Sequence, residues 1–120
     1  MSTRQSMTLV TALIRPHMEG HVVRALHELA DCPGFTLTEA RGQGRGRGAG
    51  GTYLPGDSGL LYQRHLCLQI VCAAPRAEEL CRTVVAAAWT GRKGDGVIFT
   101  TSVGTFSRIR ETGSADRASP

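Results

Sequence analysis

MTLVTALIRPHMEGHVVRALHELADCPGFTLTEAR (Met7–Arg41) is the stretch on which the fold turns. Its first eight residues, Met7–Ile14, form a nearly continuous apolar run with β-branched members, the pattern of a buried strand. Arg15-Pro16 breaks that run, and a proline's fixed φ suits the first position of a helix. From His17 to Ala30, Val22, Leu26 and Leu29 recur at helical spacing, while Glu19, Arg24 and Glu28 fall on other faces. Pro33-Gly34 stops the helix near Asp31. Phe35–Arg41 opens with apolar and polar residues in alternation, which marks a half-exposed strand. The stretch therefore reads β-α-β.

The second half repeats the theme. His65–Ala73 (HLCLQIVCA) reads as a second central strand. Pro75–Thr90 reads as a helix, opened by Pro75 and the acidic pair Glu78-Glu79, with Leu80, Val84, Ala87 and Ala88 in its apolar stripe. Gly91 ends it, and Gly94-Asp95-Gly96 turns into Val97–Thr101, a fourth strand. The order β-α-β-β-α-β predicts an α+β, ferredoxin-like fold: an antiparallel sheet with both helices on one face. Apolar residues on both sides of the central strands leave the other face needing a cover, which sheets from neighbouring copies would supply. A single domain over residues 1–113 is expected, followed by a flexible tail at 114–120.

Composition narrows the function. An apolar fraction of 41% and strong periodicity argue against global disorder. No apolar run approaches the roughly 20 residues of a membrane span, and Met1–Met7 lacks a signal-peptide core, so a cytoplasmic protein without direct membrane insertion is expected. Cys32, Cys67, Cys72 and Cys81 show no CxxC spacing and read as reduced thiols. Cys67 and Cys72 should face opposite sides of one strand. The net charge of +4, carried by thirteen arginines among fourteen basic residues, supports anion binding but is too mild for an evident nucleic-acid footprint.

Between the second and third strands lies Arg41–Gly51 (RGQGRGRGAGG), with six of the fifteen glycines and three arginines. Exposed backbone N–H groups beside fixed positive charge suit a phosphate-bearing ligand or an acidic partner, and they equally describe a solvated loop. The whole connection Gly42–Arg64 exceeds twenty residues, a length usually tied to function or mobility. Two further basic or glycine-rich elements, Thr90–Gly96 and Arg108-Ile109-Arg110, are expected to converge with it. Strand alternation would put Arg108 and Arg110 on one side, where both could fork onto one phosphate chain. No nucleophile–base pair, metal-ligand cluster or paired carboxylates accompany them, and Asp95 between two glycines reads as a turn-shaping residue. The pattern predicts a binding site, not an enzyme, and no metal site. His17 and His21 stand at i, i+4, a spacing shared by metal pairs and by ordinary surface histidines. Trp89 at a helix end reads as a subunit-packing residue.

ALIRPH (Ala12–His17), FTLTEARGQGRGRG (Phe35–Gly48), TGRKGDGVIF (Thr90–Phe99) and RIR (Arg108–Arg110) resemble, in order and spacing, the PII signal-transduction family over about residues 7–113. The pairing of TG-x-x-GDG-x-IF with RIR is the specific part. The resemblance implies a homotrimer of ferredoxin-like subunits that binds adenine nucleotides (ADP, AMP or ATP) as effectors between neighbours, with no other cofactor. It further implies a T-loop at residues 42–64 that docks onto a transporter or enzyme, a B-loop at 90–97 and a C-loop at 102–112. Carried over, Gly34, Phe35, Thr36 and Gln69 would surround the adenine. Gly42, Gly44, Arg45, Gly94, Asp95 and Gly96 would lie near ribose and phosphates. Arg108 and Arg110 would reach in from the adjacent subunit and pair with phosphates. Tyr53, Ser58 and Tyr62 would be the partner-facing residues of the T-loop.

The departures reshape the expectation. Gly46 replaces the family's glutamine that helps hold magnesium and 2-oxoglutarate, and His65 replaces the lysine that meets the 2-oxoglutarate carboxylate. Ser58 stands where the uridylylated tyrosine would be. Neither 2-oxoglutarate sensing nor uridylylation is therefore expected. Val97 replaces a phosphate-binding lysine and Glu111 a threonine, which predicts a preference for ADP or AMP over ATP. The GxGRGRG form resembles divergent members linked to heavy-metal efflux, bicarbonate uptake or carboxysomes, so a bicarbonate- or metal-linked sensor is the alternative. A Gly-Arg-loop nucleic-acid binder and a weak nucleotide hydrolase stay open at this level.

Overall fold

The computed structural model describes residues 5–43, 63–111 and 113. Four strands run antiparallel in the order β2-β3-β1-β4, where β1 is Met7–Ile14, β2 Phe35–Gly42, β3 Gln63–Ala73 and β4 Gly96–Val103. Helix α1 (Glu19–His27) links β1 to β2, and α2 (Ala77–Ala88) links β3 to β4, each entered through a short 3-10 turn carrying a proline. This is the ferredoxin-like arrangement that the periodicity predicts. The elements fall where expected, but both helices are shorter than their apolar spacing suggests. The first turn of each is tightened to 3-10 by Pro16 and Pro75, and α1 ends before Asp31, which adopts a φ of +52°.

The core is one layer between the sheet and the helices. Val10, Ala12 and Ile14 of β1 and Leu66, Leu68, Ile70 and Cys72 of β3 are buried against Val22 and Leu26 of α1 and Leu80, Val84 and Ala88 of α2. Period-2 alternation on the strands and 3.6-residue spacing on the helices deliver these side chains to the same layer. Burying each large apolar side chain contributes about 1.5–3 kcal/mol. Arg76 staples the helix connections together: its guanidinium donates to the backbone carbonyls of Ala30 and Asp31 at 3.1 and 2.6 Å, and it pairs with Glu79 at 3.0 Å.

The other face of the sheet carries no helix. Register aligns Thr36, Gln69, Thr11 and Phe99 in one row across it, and Thr38, Cys67, Leu13 and Val97 in the next. Val97 and Phe99 are 58% and 50% exposed. Cys67 lies on this face and Cys72 in the core, the opposite sides that an odd spacing requires. All four cysteines are free thiols, and burial pushes those of Cys32, Cys72 and Cys81 up in pKa, which favours the protonated form. Among the described residues, no helix is long and apolar enough to cross a membrane.

Candidate functional site

The antiparallel pairing of β1 with β4 fixes the geometry of the glycine-rich 90–96 segment. Ile14 is the register partner of Gly96, so the chain leaving β1 meets the chain entering β4, and Arg15 arrives beside Asp95. Arg15 Nε donates to Asp95 Oδ1 at 3.0 Å, and its terminal amino group donates to the Lys93 carbonyl. Asp95 also accepts from the Thr90 and Gly91 amides at 2.7 and 3.1 Å and from the Thr90 hydroxyl. Hydrogen bonds from Thr90, first through its hydroxyl and then its amide, hold the Asp95 carboxyl far below the usual carboxylate range, with Arg15 and Gly91 adding to the effect. The aspartate is thus the knot of this loop. The sequence assigns it a turn-shaping role, and its lone pairs are indeed engaged by the loop's own donors.

Three glycines of this segment, Gly91, Gly94 and Gly96, have positive φ, and the last two meet β1 and Arg15. Gly94 has a φ of +88° and Gly96 a φ of +112°, backbone conformations that side chains disfavour. A Cβ on Gly96 would lie 1.7 Å from the Leu13 carbonyl oxygen, and one on Gly94 would lie 3.2 Å from the Arg15 guanidinium. The close approach of Gly96 to β1 is what lets β4 begin its ladder immediately after the loop.

Gly42 closes β2 at this same end, opposite Gln63. One step inward, Arg41 and Arg64 are cross-strand partners and both exposed. Like charges directly opposite each other are unfavourable, and the pair concentrates positive charge at the end of β2 and the start of β3. Gly44, Arg45, Tyr53, Ser58 and Tyr62, with Gly46 and Arg47, lie outside the described residues.

The remaining candidates lie elsewhere. Thr36 and Gln69 are register partners, both exposed on the uncovered face, so the structure does bring them together. Phe35 points the other way: alternation sends its ring to the helix side, 5.9 Å from the His27 ring and against the core. Gly34 precedes β2 with open space around it. Arg108 and Arg110 follow β4 at the far end of the sheet, where a groove of about 760 Å³ is lined by the 102–108 segment and the start of β1.

Two expectations need correction. The three basic elements do not converge within one chain: β4 carries Arg108 away from the 90–96 loop by seven residue steps, roughly 23 Å at the usual rise per residue. Nor does strand alternation govern Arg108 and Arg110, because residues 109–111 are helical and successive side chains there rotate by about 100°. Arg108 instead sits over the Phe106 ring, 5.5 Å from its centroid, with Glu111 at 3.8 Å. Sequence reasoning also missed the role of Arg15, read only as part of the Arg15-Pro16 break after the strand and of the ALIRPH motif. The β1–β4 adjacency of a ferredoxin-like sheet is the signal that would have placed it beside Asp95.

Among the described residues no group of His, Cys, Asp and Glu is arranged to hold a metal ion. His17 and His21 are both exposed. Trp89 is 68% exposed.

Comparison with known proteins fits this geometry. A family model described as nitrogen regulatory protein P-II matches residues 7–113. Nitrogen regulatory protein GlnK of Escherichia coli is 34% identical over 112 residues, covering 93% of this chain and 98% of the relative. Nitrogen regulatory protein P-II 2 of Methanothermobacter thermautotrophicus is 36% identical over 112 residues, covering 93% and 96%. A crystal structure of Arabidopsis thaliana PII bound to citrate superposes with a TM-score of 0.70 at 25% identity, covering 88% of this chain and 85% of that one. These relatives carry the names of regulatory proteins rather than enzymes. From its sequence, its sheet order and these likenesses, the chain belongs to the nitrogen regulatory protein P-II family.

Proposed function

We propose that this protein is a homotrimeric regulatory protein of the cytoplasm. It binds an adenine nucleotide between neighbouring copies, and through residues 42–64 it controls a partner transporter or enzyme. The observation that carries the reading is the division of the site: Gly42 and Gly94–Gly96 occupy one end of the sheet, and Arg108 with Arg110 the other. Only a second copy can bring the arginines to the glycines, and the uncovered, partly apolar sheet face gives copies a surface on which to pack.

Two features favour ADP or AMP over ATP. Val97, where a lysine would neutralise phosphate charge, puts an exposed aliphatic side chain beside Gly96. Glu111 sets a carboxylate 3.8 Å from Arg108, competing with the phosphates that arginine would meet. Nucleotide phosphates that neutralise Arg45, Arg108 and Arg110 would shift the 42–64 segment between partner-binding and withdrawn populations. Gly46 and His65 remove the residues expected for 2-oxoglutarate, and Ser58 removes the uridylylation site. Nucleic acid is not among the partners.

Calorimetry with AMP, ADP and ATP on the wild type and on Arg108→Gln tests this reading. We expect ADP and AMP to bind, ATP no more tightly than either, and Arg108→Gln to lose at least tenfold. No response to any adenine nucleotide would remove the reading. ATP binding at least tenfold tighter than both others would remove the preference.

A further inference from the structure

A depression of about 280 Å³ opens at the root of the 90–96 loop, lined by Arg15, His17, Thr90 and Arg92. Three of its four lining side chains are cations or can become so, and none is acidic. Asp95 beneath them is already engaged by the Thr90 and Gly91 amides, the Thr90 hydroxyl and Arg15 Nε. It offsets one positive charge, while Arg15, Arg92 and the neighbouring Lys93 supply three. Glu19, at the start of α1, borders a separate depression with Arg24 and His27.

The donors here are also fixed in place. Arg15 is anchored through Nε and one terminal nitrogen, to Asp95 and to the Lys93 carbonyl. Its other terminal nitrogen has no hydrogen-bond partner among the described residues. The Thr90 hydroxyl, which donates to Asp95 and accepts from the Arg92 amide, locks the backbone from which the Arg92 side chain projects. A guanidinium whose orientation is set before binding loses little entropy on meeting an oxyanion, and its planar fork matches carboxylate and phosphate oxygens.

We propose that Arg15, His17, Thr90 and Arg92 form a binding site for a small oxyanion, a phosphate or carboxylate group. The site is distinct from the residues proposed to hold nucleotide and does not depend on that reading. The anion would be received by the free nitrogen of Arg15 and the Arg92 guanidinium, with His17 donating from the side of α1. It would tie the start of α1 to the 90–96 loop.

The test is a titration of the full chain with inorganic phosphate, and separately with succinate, following the backbone amide resonances of Thr90, Gly91 and Arg92. Saturable shifts of those amides at millimolar anion are expected, and whichever anion binds more tightly identifies the chemistry preferred. His17→Gln combined with Arg92→Gln, both exposed positions, should weaken binding at least tenfold. Arg24→Gln, which removes a positive charge on α1 outside the site, should leave it unchanged. Absence of saturable shifts with both anions would overturn the proposal. Equal weakening by Arg24→Gln would also overturn it, because bulk charge rather than this site would then be responsible.

Discussion

Replacing Gly96 by alanine should be among the most damaging single changes in the ordered domain, and its magnitude follows from the geometry. A Cβ at this position would approach the Leu13 carbonyl oxygen to 1.7 Å, whereas real Cβ contacts stay beyond 3.0 Å, so the strands must separate by about 1.3 Å. The obstacle is backbone, which cannot swing aside as a side chain would. Its φ of +112° adds strain of about 1–2 kcal/mol for any residue with a side chain. Forcing the β1–β4 ladder apart adds about 1–3 kcal/mol, the usual cost of overpacking. The sum, about 2–5 kcal/mol, corresponds to a fall in Tm of roughly 10–25 °C for a domain of this size. Gly20 is the internal control: it lies in α1 with nothing within 4 Å of a built Cβ, so Gly20→Ala should be neutral or stabilise by up to about 1 kcal/mol. Thermal and urea denaturation of both variants at one protein concentration makes the comparison. A loss below about 1 kcal/mol for Gly96→Ala would refute the close approach of loop to strand on which the site geometry rests.

Three other perturbations read different parts of the structure. The Asp95 carboxyl has a depressed pKa in the folded protein, so its stabilising contribution is complete above the ordinary aspartate range and is lost as pH falls below it; the Tm gap between wild type and Asp95→Asn should hold constant from pH 7 down to about pH 5 and then shrink towards pH 2.5. A gap that grew on acidification would contradict the assigned hydrogen bonds. Phe99→Asp places a charge on the edge strand β4 of the uncovered sheet face and should dissociate the proposed oligomer in sedimentation experiments while leaving the far-ultraviolet circular dichroism of the subunit intact. An unchanged sedimentation coefficient would mean that copies do not associate through this face. Glu111→Gln frees Arg108 from its carboxylate neighbour, and combined with Val97→Lys it should raise ATP affinity by at least tenfold relative to AMP in competition calorimetry; equal gains for both nucleotides would show that the triphosphate tail is not what these residues discriminate.

Much of the fold was legible because it rests on local periodicity. The MTLVTALI run, with its β-branched members, has the pattern of a buried strand, and its bounds in the structure coincide with those read from the residues. The Leu80/Val84/Ala88 spacing could only be one face of a helix, and those three residues are its buried ones. Errors appeared where local signals compete. The apolar spacing from His17 onward continues past the point where the α-helix ends, and Pro16 and Pro75 impose a 3-10 turn that spacing alone does not reveal. For the site, glycine and arginine content marked the right segments. Alternation misjudged Arg108 and Arg110, because a strand rule was extended into residues whose backbone is helical.

The chain's order of elements, the two faces of each strand and its family membership are properties of the sequence itself, because each is written in spacings of two to four residues or in contiguous motifs. What the tertiary structure decided is which distant residues meet. Antiparallel pairing of β1 with β4 sets Arg15 against Asp95, eighty positions away in the chain, and makes Gly96 a contact point for Leu13. The same pairing carries Arg108 to the opposite end of the sheet from Gly94–Gly96. Such contacts depend on register, which exists only once strands from different parts of the chain have paired, and no local pattern encodes it.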